Sequence, residues 1–310
     1  MESYGGFILP ETPALSAIIC TRNRPDFIGA AVASVLANVH TSFEVIVVDQ
    51  SDDDSSQRAL DRFADDGRLR YIHRSRPGIS AAANAGVRAA AAETLCFTDD
   101  DCRVPVGWLS SIEAVFEREP GISFVSGQML MPPELKGTGK SIPTFQFDEP
   151  IRVTRKGPLF SSVGANFAMR RSLYEELEGF DEFLGPGAQY ESAQDWDLTY
   201  RAYLSGAGIL LTPEIYVWHY GARDDAQWRR RLRAYGLGDG AFYGKHIRCR
   251  DLRLLSVFLN QVAKLVAREA MNPLRRKPAK LEYLKGCLIG LRRSWGQPID
   301  RVSRLYVPSG

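Results

Sequence analysis

Four short apolar runs in the first hundred residues, LSAIIC (15–20), FEVIVVD (43–49), LRYIHR (near 68–73) and TLCFTD (94–99), alternate with helical patterns, and each stops at a polar cluster. Strands separated by helices predict a parallel sheet, because a parallel neighbour is reached only through a crossover. The helices are expected after Arg24-Pro25, behind Asp49, over 80–92 where alanine dominates, and over 105–119, with a further strand at ISFVSGQMLM (122–131). The polar clusters are TRNR (21–24), DQSDDDS (49–55), RSRPG (74–78) and TDDDC (98–102). Ligands in open α/β sheets bind beyond the carboxyl ends of the strands, so these four clusters are expected to meet at one rim.

Residues 132–160 are rich in Pro, Gly and Lys without periodicity and read as a long connection that orders on ligand binding. Regular patterns return with GANFAMRRSLYEELEGFDE (164–182), a helix over 194–205 that stops at Gly206, and a strand at ILLTPEIYVWHY (209–220). A helix over 252–269 puts Arg253, Asn260, Lys264 and Arg268 on one narrow polar arc and is apolar over most of its girth. With 45% hydrophobic and 25% charged residues the chain can bury a core, which excludes disordered and collagen-like classes. The formal charge of +2 hides an asymmetry: residues 1–220 hold 19 basic and 30 acidic side chains, residues 221–310 hold 20 and 7. A basic final third on an acidic body predicts a phosphate-bearing partner surface. Five cysteines, odd in number and without metal-ligand spacing, predict a reducing compartment. The first residues lack the pattern of a secretory signal, so the expected location is cytoplasmic. No apolar run approaches the ~20 residues of a spanning helix, so any membrane contact is expected to be peripheral, on the inner face of the cell membrane.

The sharpest chemical signal is Asp99-Asp100-Asp101 directly behind Leu95-Cys96-Phe97. Three carboxylates at a strand end repel one another, a cost met most readily where a hard divalent cation, Mn²⁺ or Mg²⁺, carries a diphosphate. Asp49 closes a strand at the head of a second acidic cluster, where it could accept hydrogen bonds from a base or ribose, while Asp52 to Asp54 suit a helix N-terminus. Asp195 and Asp197 lie two apart at a helix start and point in different directions, one toward a site and one to cap; Asp195 is the candidate general base. His219, at a strand end, suits either a metal ligand through neutral imidazole or a hydrogen-bonded structural role.

In order, SAIICTRNRP, VVDQSDDDS, RPGISAAANAG, FTDDDC, GANFAMRR with GFDE, and QDWDL resemble the successive motifs of family 2 glycosyltransferases. The resemblance spans about residues 14–222. It implies the GT-A fold, a mostly parallel Rossmann-like sheet flanked by helices, with a nucleotide-sugar half (about 14–131) and an acceptor half (about 160–222). Residues 223–310 are expected as a basic, amphipathic helical extension. The implied activity is metal-dependent, inverting transfer from a nucleotide-diphosphate sugar to a glycan or lipid-linked acceptor in bacterial surface polysaccharide synthesis. By the same similarity Thr21, Arg22 and Asp49 would hold the nucleoside, Asp99 and Asp100 the ribose and diphosphate side, Asp101 and His219 the metal, and Gly164, Asn166 and Gln194 the acceptor side. Asp195 would deprotonate the acceptor hydroxyl.

The sequence departs from the family pattern in three places. Gln194 stands where a Glu usually precedes the base; Ala81 to Ala83 stand where a polar or Arg residue is usual, which shifts the expected contacts with the diphosphate or the sugar to Arg76, Asn84 or Arg88; and no QxxRW element appears, which points to transfer of one or few sugars. Two rivals stand beside the transferase. A sugar nucleotidyltransferase would need a glycine-rich loop after the first strand, where TRNRP has none, and a non-catalytic sugar-nucleotide or membrane module is hinted at by Gln194 alone. Basic clusters at Arg229 to Arg233, Arg275 to Lys277 and Arg292-Arg293, interleaved with apolar residues and Trp295, suit an anionic membrane surface rather than nucleic acid, for which no motif is present. The apolar 252–269 helix could equally pack on a second subunit.

Overall fold

The computed structural model describes residues 12–138, 141–154, 163–222, 225–271 and 278–309. In chain order its elements are β1 (Leu15–Thr21), α1 (Pro25–Leu36), β2 (Phe43–Asp49), α2 (Ser55–Arg58), β3 (Leu69–His73), α3 (Ile79–Ala89), β4 (Thr94–Asp99), β5 (Cys102–Arg103), α4 (Trp108–Arg118) and β6 (Phe124–Leu130). They continue with β7 (Ile151–Val153), β8 (Asn166–Arg170), α5 (Arg171–Glu176), α6 (Gln194–Ser205), β9 (Ile209–His219), α7 (Asp225–Arg248), α8 (Leu252–Met271), α9 (Pro278–Gly296) and the hairpin β10 (Ile299–Asp300) and β11 (Leu305–Tyr306).

Among the described residues nine strands form one sheet in the order β3-β2-β1-β4-β8-β6-β9-β5, with β7 beside β9. The first four are parallel and their ends are level: Thr21 pairs with Asp49, Cys20 with Asp99, and Asp49 with His73. The four polar clusters therefore do share one rim. β8 runs antiparallel between β4 and β6. β1 and β2 are buried on both faces, which is why they read as continuous apolar runs rather than alternating ones. α1 and α4 pack on one face through Ile28, Val32, Trp108 and Ile112, and α3, α5 and α6 cover the other around Val87, Phe97, Phe167 and Leu198.

Two boundaries differ from expectation for identifiable reasons. The alanine-rich helix stops at Ala89, because Ala90 is extended and the Arg171 guanidinium donates to the carbonyls of Val87, Ala90 and Ala92. The helix expected from 105 begins at Trp108, after a turn closed by the Trp108 N–H on the Pro105 carbonyl.

The basic final third folds as α7, α8 and α9, and α7 is bound to the body at full depth. Asp197 does not cap α6: its carboxylate is buried, with Arg201 Nε at 2.8 Å, Lys245 Nζ at 2.7 Å and His246 Nε2 at 2.9 Å. Lys245 also meets Asp181 of GFDE at 2.5 Å. Against α9, α7 leaves no room for side chains. A methyl group on Gly236 or Gly240 would fall on the carbonyls of Tyr283 and Cys287, and one on Gly286 or Gly290 on those of Arg233 and Leu237.

Candidate active site

The rim opens into a cavity of about 410 Å³ lined by residues from both halves of the sheet and from α7. Thr21, Arg22, Asp99, Asp100, Asp101, Gly164, Gln194, Asp195 and His219, nine of the residues singled out in the sequence, stand on its wall.

The Asp triplet is held as a strained charge cluster. The Thr21 hydroxyl donates to Asp100 at 2.7 Å, and the Arg24 guanidinium spans the pair, 2.6 Å from Asp100 Oδ1 and 2.6 Å from Asp101 Oδ2. Burial, reinforced by the charges of Asp101 and Asp100, pushes Asp99 up to about 7. Burial also raises Asp100, to about 6 in spite of Arg24. Asp101 is equally desolvated, but His219 and Arg24 outweigh that and hold its carboxyl well below the usual range. One guanidinium thus faces three carboxylates, a site short of positive charge.

β5 is only two residues long, yet its pairing of Cys102 with His219 sets the imidazole against Asp101, with Nε2 3.4 Å from Oδ1. Nδ1 of the same ring lies 3.1 Å from the Pro143 carbonyl. With a cation between the ring and Asp101, donation from Nδ1 to that carbonyl would leave Nε2 free to offer its lone pair to the metal, the arrangement a metal-binding histidine needs. A Cβ at Gly221 would come within 2.7 Å of His219 Nε2 and would also overlap Asp101 Oδ2, so glycine keeps the space between the two ligands open. Cys102 is close to both, and burial, then Asp99 and Asp101, push its thiol far up; a thiol is also a poor ligand for a hard cation beside carboxylate and imidazole. Asp101 and His219 therefore fit a hard divalent cation, with further oxygen ligands supplied from outside the chain.

Asp195 lies in the first turn of α6, on the wall of the same cavity. Ala193, before it, is in the left-handed region (φ 70°), as is Glu191 (φ 53°). Such strain in non-glycine residues persists only where the surroundings enforce it. The turn aims the Asp195 carboxylate into the cavity, where Oδ2 accepts the Gly164 N–H at 2.8 Å and Oδ1 the Trp196 N–H at 2.9 Å. Burial raises its pKa against those two donors, the direction that strengthens a base.

Four expected site residues lie elsewhere. Asp49 is fully buried behind the wall, its oxygens taken by the Ser51 N–H and hydroxyl and by the Tyr71 hydroxyl. Its neighbour Gln50 lines the cavity instead and donates to the carbonyls of Arg76 and Gly78. Arg76 is exposed outside the wall. Asn84 clamps α3 to the 180–182 loop through Tyr174, Phe180 and Glu182. Asn166 sits inside the sheet, bonded to the Trp108 indole and the Gln128 carbonyl.

The sequence reading missed Arg24, Gln50, Arg231 and Tyr235, all on the wall. Arg24 and Gln50 belong to the rim clusters already identified, whereas Arg231 and Tyr235 sit on α7, outside every matched motif.

Comparison with known proteins bears on this site. The family described as Glycosyl transferase family 2 matches residues 16–178. The glucosyl-dolichyl phosphate glucuronosyltransferase of Haloferax volcanii is 21% identical over 199 residues, covering 61% of this chain and 63% of that one. The putative glycosyltransferase EpsH of Bacillus subtilis is 30% identical over 92 residues, 29% of this chain and 27% of its own. An uncharacterized glycosyltransferase of Rickettsia felis is 32% identical over 87 residues, 28% of this chain and 14% of its own. The chain thus spans less than two thirds of the length of these relatives. Among solved structures, the mannosyltransferase PcManGT from Pyrobaculum calidifontis, in complex with GDP-Man and Mn²⁺, superposes with a TM-score of 0.62 at 17% identity, over 91% of this chain and 88% of that one. S. aureus TarS 1–349 in complex with UDP-GlcNAc gives 0.58 at 18% identity, over 88% and 79%. At such identities the likeness establishes a common fold.

Proposed function

Because this chain belongs to glycosyl transferase family 2 and has the GT-A fold, we propose that it transfers a sugar from a nucleotide-diphosphate sugar to an acceptor hydroxyl with inversion at the anomeric carbon. The observation that carries this reading is the convergence of two unlike acidic centres on one cavity: the Asp99–Asp101 triplet with His219, and Asp195, anchored by backbone N–H groups. The PcManGT and TarS complexes, which hold GDP-Man with Mn²⁺ and UDP-GlcNAc, support a donor of this class. The glucosyl-dolichyl phosphate acceptor named for the Haloferax relative supports a lipid-linked acceptor, in keeping with a role in surface polysaccharide synthesis.

Thr21, Arg22 and Gln50 border the nucleoside end of the cavity, and Asp99 and Asp100 its ribose and diphosphate side. Asp101 and His219 would hold a divalent cation, Mn²⁺ or Mg²⁺, whose chemistry is to stabilise the negative charge growing on the departing diphosphate. Arg24 neutralises Asp100 and Asp101 from the same side, and Arg231 brings a further positive charge to the wall. Asp195 takes the proton from the acceptor hydroxyl as that oxygen attacks the anomeric carbon and the bond to the diphosphate oxygen breaks. Gly164 and Trp196 keep the carboxylate aimed while it does so. Gln194, also on the wall, places a neutral amide beside the base.

A thermal-shift screen of UDP, GDP, dTDP and CDP, with Mn²⁺, Mg²⁺ or chelator, tests the donor site. One nucleotide is expected to raise the melting temperature in a metal-dependent way, and Asp101→Ala to abolish the shift. Absence of any nucleotide shift would overturn the donor assignment. Metal-dependent formation of nucleotide triphosphate and sugar phosphate from pyrophosphate and donor would instead identify a nucleotidyltransferase.

A further inference from the structure

α9 presents two unlike faces. Gly286, Cys287, Gly290 and Ser294 are buried, and the two glycines meet the α7 backbone. The opposite side carries Leu281, Lys285, Leu288, Arg292 and Trp295, all exposed; the three apolar members are 54%, 54% and 58% accessible. At 3.6 residues per turn these five positions fall within an arc of about 80° and run for about 21 Å along the helix. Isolated exposed leucines are ordinary, but an unbroken line of Leu, Leu and Trp with a cation in each gap is a designed edge. No acid lies in the arc. Glu282 stands at its border, 2.8 Å from the Lys285 ammonium and 3.9 Å from Arg233. The Lys285 pair is solvent-exposed and therefore weak enough to be exchanged for another anion.

The charge pattern selects the occupant. A second copy meeting this face about a twofold axis near Leu288 would set Leu281 against Trp295, but also Lys285 against Arg292, like charge on like. A negatively charged bilayer accepts both features, with the apolar side chains entering the headgroup boundary, Trp at its preferred interfacial depth, and the two cations on lipid phosphates. No described helix is long and apolar enough to cross a membrane, so contact of this kind lies in the plane of the surface.

We propose that the Leu281–Lys285–Leu288–Arg292–Trp295 stripe of α9 docks the protein on an anionic lipid surface. The inference stands apart from the transferase reading, and it would bring the cavity to an acceptor carried on lipid. The test is co-sedimentation of the full chain with phosphatidylcholine vesicles, with and without phosphatidylglycerol, at low and high salt. Binding is expected only to the phosphatidylglycerol vesicles and is expected to fade with salt. Lys285→Glu with Arg292→Glu should weaken it roughly thirtyfold or more, the effect of two basic residues near a charged surface. Trp295→Ser should weaken it as well. Because all three positions are exposed, unchanged melting curves will show that the variants fold. Failure of the native chain to bind phosphatidylglycerol vesicles would overturn the proposal, as would variants that bind as tightly as it does. A dimer in sedimentation that Leu288→Arg dissociates would assign the face to a second copy instead. Nucleotide shifts measured on the same proteins keep this outcome separate from the fate of the donor site.

Discussion

Two acidic clusters lie on either side of α6, and they are built in opposite ways. At the rim, Asp99, Asp100 and Asp101 face one guanidinium, and two of the three carboxyls are pushed upward. In the interior, Asp181 and Asp197 face Lys245 and Arg201, with His246 completing the set, and Asp197 is held far below its ordinary range as those cations outweigh burial. The residues are of the same kind and comparably buried; the difference is neutrality. A cluster whose charges cancel holds elements together, and a cluster left negative at a cavity wall is arranged for a cation or donor that arrives later. The adjacent pair Asp195 and Asp197 shows this within one helical turn.

The most severe break of this contrast is at its functional end. Asp195→Asn keeps the shape of the wall but removes the base, and sugar transfer is expected to fall by about 10²- to 10⁴-fold with nucleotide affinity unchanged, as read by initial rates beside the thermal shift. At the structural end, Lys245→Met leaves two buried carboxylates without their shared cation. A loss of ~3–5 kcal/mol in urea unfolding is expected, with the nucleotide shift preserved in whatever protein stays folded.

The interior cluster also predicts a dependence on pH. Burial lowers His246 to about 4 even though Asp197 opposes it, and Arg304 points its guanidinium at Nδ1, so the folded ring is neutral. Between about 4 and the ordinary 6.5 the unfolded chain binds a proton that the folded chain refuses, and stability therefore falls as pH falls through that window. Asp197, depressed on folding, adds to the loss at the acid end. The His246 contribution alone is on the order of 2 kcal/mol between pH 6.5 and 4.5. It is opposed in the same window by Asp99 and Asp100, whose raised carboxyls favour the folded chain as pH falls. The His246 share is therefore read as the difference between the two unfolding profiles, His246→Gln gaining on the native chain over that range. The smallest effect is expected at the rim. Asp99→Asn relieves a like-charge conflict, so the melting temperature of the ligand-free protein should hold or rise by an amount worth ~1 kcal/mol at most, while the metal-dependent nucleotide shift shrinks. A fall in stability comparable to that of Lys245→Met would show that the two clusters do not differ as described.

How much of this was legible in the sequence follows from distance along the chain. The four strand ends, the Asp triplet, His219 and Asp195 announce themselves because each is defined by its immediate neighbours: an apolar run that stops, a helix that starts. The parallel part of the sheet follows from the same local signals, whereas the antiparallel place of β8 between β4 and β6 and the short strands β5 and β7 do not. Arg24 was visible in TRNR, but nothing nearby distinguishes it from Arg22, since the carboxylates it meets lie 76 and 77 residues later. Asn84 and Asn166 had the composition of site residues and turned out to satisfy buried backbone, because an amide that closes a loop and one that holds a ligand have the same local sequence. Asp49 went the same way when Ser51 and Tyr71 took its oxygens. Tyr235 could not be read at all, and Arg231 was read only as part of a basic, membrane-facing cluster although it lines the cavity, for the motifs end before α7. Of the basic clusters in the final third, Arg275 to Lys277 lie outside the described residues.

The bare contact between α7 and α9 has a consequence for shortened chains. Gly236 and Gly240 face carbonyls of α9, and Gly286 and Gly290 face carbonyls of α7, so each helix fills a groove in the other that admits only a closely packed backbone. A chain ending before residue 278 would keep Arg231 and Tyr235 but expose that groove, and the surface best shaped to fill it is the same glycine face on another molecule. Such a truncated protein is expected to exchange or pair its helices with its neighbours and to become concentration-dependent in size, a change that sedimentation of the truncated and full chains side by side will read.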